Sequence, residues 1–181
     1  MKWFRKALSR LRGEQNIEKL IKRGLVVGKN CKLGNSTIDP SHCFHITIGD
    51  NVTFGPQVHV LAHDASTKVF LDYTRVANVK IGSNVFIGAH SIVMPGVTIG
   101  DNVIIGAGSV VTHDIPSGAV AVGVPARTIE SLNTFLESRK KEMSPECLFG
   151  EDYTVRNPGF NESQKRGMIE ACRQYGQIYV K

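Results

Sequence analysis

Histidine is the side chain that most readily takes up a proton near neutral pH. The chain carries six: His42, His45, His59, His63, His90 and His113. His63 lies in the run Leu61-Ala62-His63-Asp64-Ala65-Ser66-Thr67, where a repeating pattern breaks off. A loop residue mounted on a rigid scaffold is a good carrier for a general base, so His63 is the candidate catalytic residue. The bland alternative is a loop histidine bonded to Asp64 with no further role. His42 lies in a second interruption, Ile38-Asp39-Pro40-Ser41-His42, and is a candidate to face the same cleft. His59 points away from the interior, and His90 and His113 fall at or near turns. Cys31, Cys43, Cys147 and Cys172 show no paired metal-type spacing and read as reduced thiols of a cytoplasmic protein.

The scaffold is legible in the spacing of the aliphatics. Ile81, Ile87, Val93, Ile99, Ile105 and Val111 recur every sixth residue, with Val79, Val85, Ser91, Val97, Val103 and Ser109 two positions earlier. Six is neither the period of a helix nor a plain alternation of faces. It suits a chain that runs straight, turns and repeats, and a hexapeptide period is the signature of a parallel β-helix. Three faces close one coil, so a coil takes eighteen residues, with β-branched residues on the flats and glycine at corners. The rhythm starts at Val27-Gly28 and Leu33-Gly34 and continues at Ile48, Phe54 and Val60. It is disturbed near Asp39-Pro40-Ser41 and again between Val60 and Ile81, each time by an apparent excess of three residues. Insertions in a solenoid leave as loops on one face, often the binding face.

Three segments are expected: a basic amphipathic helical cap over residues 1–24, an all-β solenoid over 25–127 with a loop insertion at 61–78, and a helical tail over 128–181. In the tail, Thr128 to Met143 reads as one helix and Glu162 to Tyr175 as another. The formal charge is +6, and residues 1–24 alone account for it with eight Lys or Arg against Glu14 and Glu18. The repeat body is balanced, which argues against nucleic acid as a partner. In the basic segment Trp3, Phe4, Ala7, Leu8 and Leu11 fall at helical spacing. The plain expectation is a capping helix; the sharper one is weak attachment of residues 1–12 to an anionic membrane surface at the inner face.

The run IGSNVFIGAHSIVMPGVTIGDNVIIGAGSVVTHDIPSGAVAVGVPAR resembles the end of the hexapeptide-repeat O-acetyltransferases, and the likeness covers about residues 25–130. It implies a left-handed parallel β-helix, a homotrimer with active sites between subunits, and acetyl-CoA as co-substrate with no metal required. The HDAST segment is most similar to enzymes acetylating capsule or lipopolysaccharide sugars, so the implied acceptor is a sugar hydroxyl of a surface glycan or its precursor. Carried over by motif, the catalytic histidine is His63. Ala89 and Ala107 match small residues along which the CoA arm runs, and Phe86 stands where the family has a tryptophan. Thr112, His113 and Arg127 match the nucleotide end, with His113 replacing a lysine. On the acceptor side Asn35 matches a family asparagine, Cys43 stands where the family has an aspartate, and His42 and Asp64 are further candidates. Asp64 or another carboxylate orients His63. The γ-class carbonic anhydrases, similar in fold, place two histidines five apart, whereas Gly88-Ala89-His90-Ser91-Ile92-Val93-Met94-Pro95 has only His90, which argues against a metal. Acetyl transfer to an amine or another small acceptor, and a non-catalytic trimeric binding module, remain open readings at this point.

Overall fold

The computed structural model describes residues 15–181. The membrane-attachment expectation for residues 1–12 and most of the expected N-terminal cap lie outside them. Among the described residues no helix is long and apolar enough to cross a membrane. The chain falls into two compact units, divided between Asn133 and Thr134.

In the first unit the strands of the coil sort into three sheets, and nearly every pairing is parallel. The first sheet stacks Val26–Val27, Ile46–Ile48, Val79–Ile81 and Thr98–Ile99. The second stacks Thr37–Ile38, His59–Val60, Ile92–Val93 and Val110–Val111. The third holds Thr53–Phe54, Phe86–Ile87, Ile104–Ile105 and Ala119–Val122. Along the chain from Ile46 to Val111 the strands visit these sheets in rotation, so the backbone winds as a three-faced coil. Ile48, Ile81 and Ile99 stand in register on one face, as do Ile38, Val60, Val93 and Val111 on another. Both aliphatic columns anticipated from the hexads are buried, from Ile46 and Ile48 to Val103 and Ile105. The two serines that interrupt the second column keep their hydroxyls satisfied: Ser91 and Ser109 both donate to the Gly106 carbonyl, at 3.0 and 2.7 Å.

At one corner Asn30, Asn51, Asn84 and Asn102 adopt left-handed backbone, at φ of 56–57°. Their side-chain amides donate up the stack at 3.2, 3.0 and 3.1 Å. Asparagine tolerates that conformation and supplies the next coil with a bond. At another corner Gly88 is forced by proximity: a Cβ there would lie 2.4 Å from the Ala107 nitrogen.

Coil lengths show how the interruptions leave the scaffold. Asp50 and Lys29 are bonded partners 21 residues apart, and Ser83 and Asp101 are partners 18 apart. Asp50 and Ser83 are 33 apart. The first interruption therefore adds three residues, as expected. The second adds far more than three, because nearly all of 61–78 leaves the coil. It exits through a short antiparallel pair, His63–Asp64 with Arg75–Val76, and carries one helical turn, Lys68–Leu71, at its tip.

The expected helix from Thr128 starts later. Arg127–Ser131 instead forms a strand antiparallel to Ala119–Val122, closing the last coil, and the helix is Leu132–Glu142. An edge strand with unpaired N–H and C=O groups recruits backbone more strongly than the weak helical pattern of those residues. The second unit contains the helix Glu162–Tyr175, as the sequence indicates, started by a capping box between Asn161 and Gln164. It also holds a strand pair the sequence reading lacked, Leu148–Phe149 with Tyr179–Val180.

A test of the corner packing compares two glycines. Gly88→Ala pushes a methyl into the next coil's backbone; overpacking of this kind costs about 1–3 kcal/mol, which lowers the melting temperature by several degrees. Gly167→Ala, in the Glu162–Tyr175 helix with nothing within 4 Å, should leave it unchanged or raised. Equal melting curves for both variants would contradict this packing.

Candidate active site

The strands Thr37–Ile38 and His59–Val60 are neighbours on one face, so the residues that follow them emerge side by side at the same corner. One chain continues into Asp39 and the first interruption; the other continues through Ala62 into His63 and the loop. The side chain of Asp39 is fully buried while that of His63 is about one-third exposed. Nδ1 of His63 is hydrogen-bonded to Oδ2 of Asp39. The same oxygen accepts from the Ala62 amide at 3.1 Å, and Oδ1 accepts from the amides of Ser41 and His42, each at 3.0 Å. Four donors thus surround one carboxylate, and they come from both interruptions.

Burial pushes the Asp39 carboxyl upward. The bond from His63 and the amides of His42, Ala62 and Ser41 outweigh burial, and the group is held below the usual carboxylate range. An ionised Asp39 can only accept, so the proton between the pair belongs to Nδ1 of His63 and the lone pair of a neutral ring sits on Nε2. The arrangement is an oriented base, with the free nitrogen turned from the buried carboxylate.

His42 is brought to the same place. Its ring centroid lies 4.8 Å from that of His63, and its Nδ1 lies 3.9 Å from Asp39 Oδ1. That nitrogen is buried with no hydrogen-bond partner among the described residues. Phe44 and His45 continue the patch outward, ring against ring at 4.6 Å, and His45 Nδ1 is 2.7 Å from Asn78 Oδ1. Among the described residues, Asp39, His42 and His63 are the one group whose histidine and carboxylate atoms converge closely enough to hold a metal ion.

Asp64 does not orient His63, contrary to one sequence expectation. Its Oδ1 accepts from the Ser66 amide at 2.9 Å, a local turn that holds its carboxyl below the usual range. Cys43 faces the interior, fully buried, with its thiol toward the carbonyls of Leu20 and Arg23. It is a core residue, not the acceptor-side position that the resemblance implies. Asp39 is the residue of this cluster that the sequence reading did not name. The available signal was an acidic residue opening the same interruption as His42; its partner is 24 positions away, beyond any local motif.

The other candidate residues stand elsewhere on the coil. Asn35, Gln57, His90 and Gly108 precede the four strands of the His63 face. The Asn35 carbonyl accepts from Gln57, and the Ala89 carbonyl accepts from Gly108, each at 2.8 Å. Asn35, Ala89 and Ala107 therefore mark the corner at the start of this face, whereas Asp39 and His63 mark its end. Four steps of extended chain separate Asn35 from Asp39, about 13 Å. Phe86 is half exposed on the preceding face. Thr112 and His113 follow the strand Val110–Val111, at the end of the face that bears His63; Thr112 Oγ1 lies 2.8 Å from His113 Nδ1. Arg127 sits on the closing strand, exposed, with Nη1 donating to the Ala126 carbonyl at 2.9 Å.

The cluster thus sits on a three-faced hexapeptide coil, with a carboxylate-bonded histidine at the mouth of a loop. Residues 78–113 match the family model of bacterial transferase hexapeptide repeats. Protein CapG of Staphylococcus aureus is 42% identical over 141 residues, 74% of this chain and 80% of that one. Galactoside O-acetyltransferase of Escherichia coli is 46% identical over 93 residues, 50% of this chain, and this chain spans only 46% of it. The structure of a hexapeptide-repeat acetyltransferase from Vibrio cholerae, complexed with acetyl coenzyme A, is 29% identical with a TM-score of 0.52, over 59% of each chain. The chain belongs to the hexapeptide-repeat acetyltransferase family.

The lowered titration of Asp39 gives a signed prediction. A carboxyl whose folded value lies below its unfolded value, about 3.9, contributes stability that is complete above the unfolded value and is lost as pH falls through the folded one. Melting temperature measured from pH 7 downward should fall more steeply below about pH 4 for the wild type than for Asp39→Asn. Parallel curves would mean that Asp39 is not ionised in the folded protein.

Proposed function

We propose that the protein transfers the acetyl group of acetyl-CoA to a sugar hydroxyl of a surface polysaccharide or its precursor, with His63 as general base. The observation that carries this reading is the bond from His63 Nδ1 to the buried Asp39 carboxylate, which leaves Nε2 as an acceptor directed outward. In this reading Nε2 takes the hydroxyl proton as the oxygen attacks the thioester carbon. The carbon–sulfur bond then breaks, and the same proton passes to the departing CoA sulfur. The transient oxyanion is met by a backbone N–H at a coil corner. Proton transfer by a positioned base contributes about 10²–10⁴-fold, and holding two substrates together supplies much of the rest. A sugar acceptor is supported by the galactoside specificity named for one relative. The coil is left-handed in this reading, the hand that the family resemblance implies.

The placement of the candidate residues also supports a site built from two chains. The CoA candidates Ala89 and Ala107, with Asn35, line the far corner of the face from His63, about 13 Å away along extended chain. One chain's His63 meets another chain's alanine corner when coils pack side by side. We propose a homotrimer, with His42 and Asp64 as acceptor contacts at the loop and Asn35 supplied by the neighbouring chain. Phe86, Thr112, His113 and Arg127 border the CoA groove.

Acetyl-CoA should raise the melting temperature of the wild type, and CoA thiol should be released when a sugar acceptor is added. His63→Ala should lose transfer while keeping the thermal shift, and Asp39→Asn should lower kcat about 10²-fold or more, since the ring is no longer held in the needed tautomer. Undiminished turnover by His63→Ala would move the base elsewhere. Mixing His63→Ala with Ala107→Trp, each inactive alone, should restore part of the activity after subunit exchange. No recovery despite verified exchange would place the site within one chain.

A further inference from the structure

We infer that Asp39, His42 and His63 form an inhibitory site for a divalent transition metal, of which Zn²⁺ is the fitting probe. The ligand set is two imidazoles and a carboxylate, the set that zinc accepts, and its candidate ligand atoms lie within 4.8 Å of one another. Ligands on one tetrahedral zinc stand roughly 3.4 Å apart, from bond lengths of about 2.0–2.1 Å. Rotation of the two partly exposed rings closes the remaining gap. His42 supplies the independent observation. Its Nδ1 is buried, has no hydrogen-bond partner among the described residues and lies 3.9 Å from the buried carboxylate, whereas buried polar atoms are nearly always paired. A metal between the two groups satisfies that nitrogen.

Asp39 already accepts four N–H bonds, so the ion must displace one. Three come from backbone amides fixed by the fold. The fourth comes from the His63 ring, the mobile member. A metal taking Nδ1 of neutral His63 leaves the ring's single proton on Nε2. Nε2 is the nitrogen that must be empty to receive the acceptor hydroxyl's proton. The ion therefore holds the base in the wrong tautomer, with no net change in protonation, and transfer stops until the ion leaves. This inhibitory consequence rests on the proposed role of His63; the binding itself does not.

The test is calorimetric titration of untagged full-length protein with Zn²⁺ without CoA, repeated with Co²⁺, whose visible spectrum reports tetrahedral nitrogen and oxygen ligands. One ion per chain is expected, with affinity falling about tenfold or more in both His42→Ala and His63→Ala. His42→Gln and His63→Gln, checked by thermal melting, keep the comparison meaningful if an alanine variant fails to fold. In the transfer assay Zn²⁺ should inhibit wild type, and a chelator should restore it. Absence of binding overturns the proposal. So does binding that survives in both histidine variants, which would assign the ion to the Cys31 or Cys172 thiols. Binding without inhibition would keep the metal site and count against His63 as the base.

Discussion

Asp39 is a carboxylate withdrawn from water, and a buried charge is tolerable only when its oxygens are matched by donors. Its four donors are three backbone amides and one imidazole. They tie the Pro40–His42 bend to the base of the long loop, so two interruptions that are far apart in sequence become one structure. The shape of the site, the tautomer of His63 and the closeness of His42 all follow from this requirement. Removing the charge leaves the amides unsatisfied and the imidazole free to turn.

The coil makes that arrangement possible by placing corners in register. Parallel strands on each face are joined by backbone bonds from one coil to the next, such as Asp39 N–H to the Val60 carbonyl at 2.8 Å. A residue leaving the end of one strand is therefore set beside its counterpart one coil along. Glycine at crowded corners and asparagine in the left-handed turns keep the stack tight. A rigid stack lets a loop carry a base without loss of position. The same geometry separates the two ends of each face, which is why the proposed site calls for two chains.

Much of this was legible in the chain. The six-residue period identified both buried columns residue by residue, since a β-branched side chain every sixth position has nowhere to point but inward. His63 and His42 were found because they stand where the period fails. Asp39 was missed because its role depends on a partner in the adjacent coil, and no local spacing encodes that neighbour. The loop's true length was obscured because an excess of three residues and a whole excursion leave the same remainder of the six-residue period. Thr128 to Ser131 were misread as helix because pairing with the coil's open edge overrides local pattern. Cys43 is turned into the core by the fold, and the carboxylate of this site comes from Asp39.

The fold is thus a device for holding one imidazole with its inner nitrogen occupied and its outer nitrogen free. Nitrogen-15 NMR of histidine-labelled protein at neutral pH reads that state directly, since the two ring nitrogens differ in shift according to which carries the proton. For neutral His63 the account predicts a protonated Nδ1 with a strongly hydrogen-bonded proton, lost as the dominant form in Asp39→Asn. A proton on Nε2 in the wild type, or a tautomer unchanged by Asp39→Asn, would contradict it.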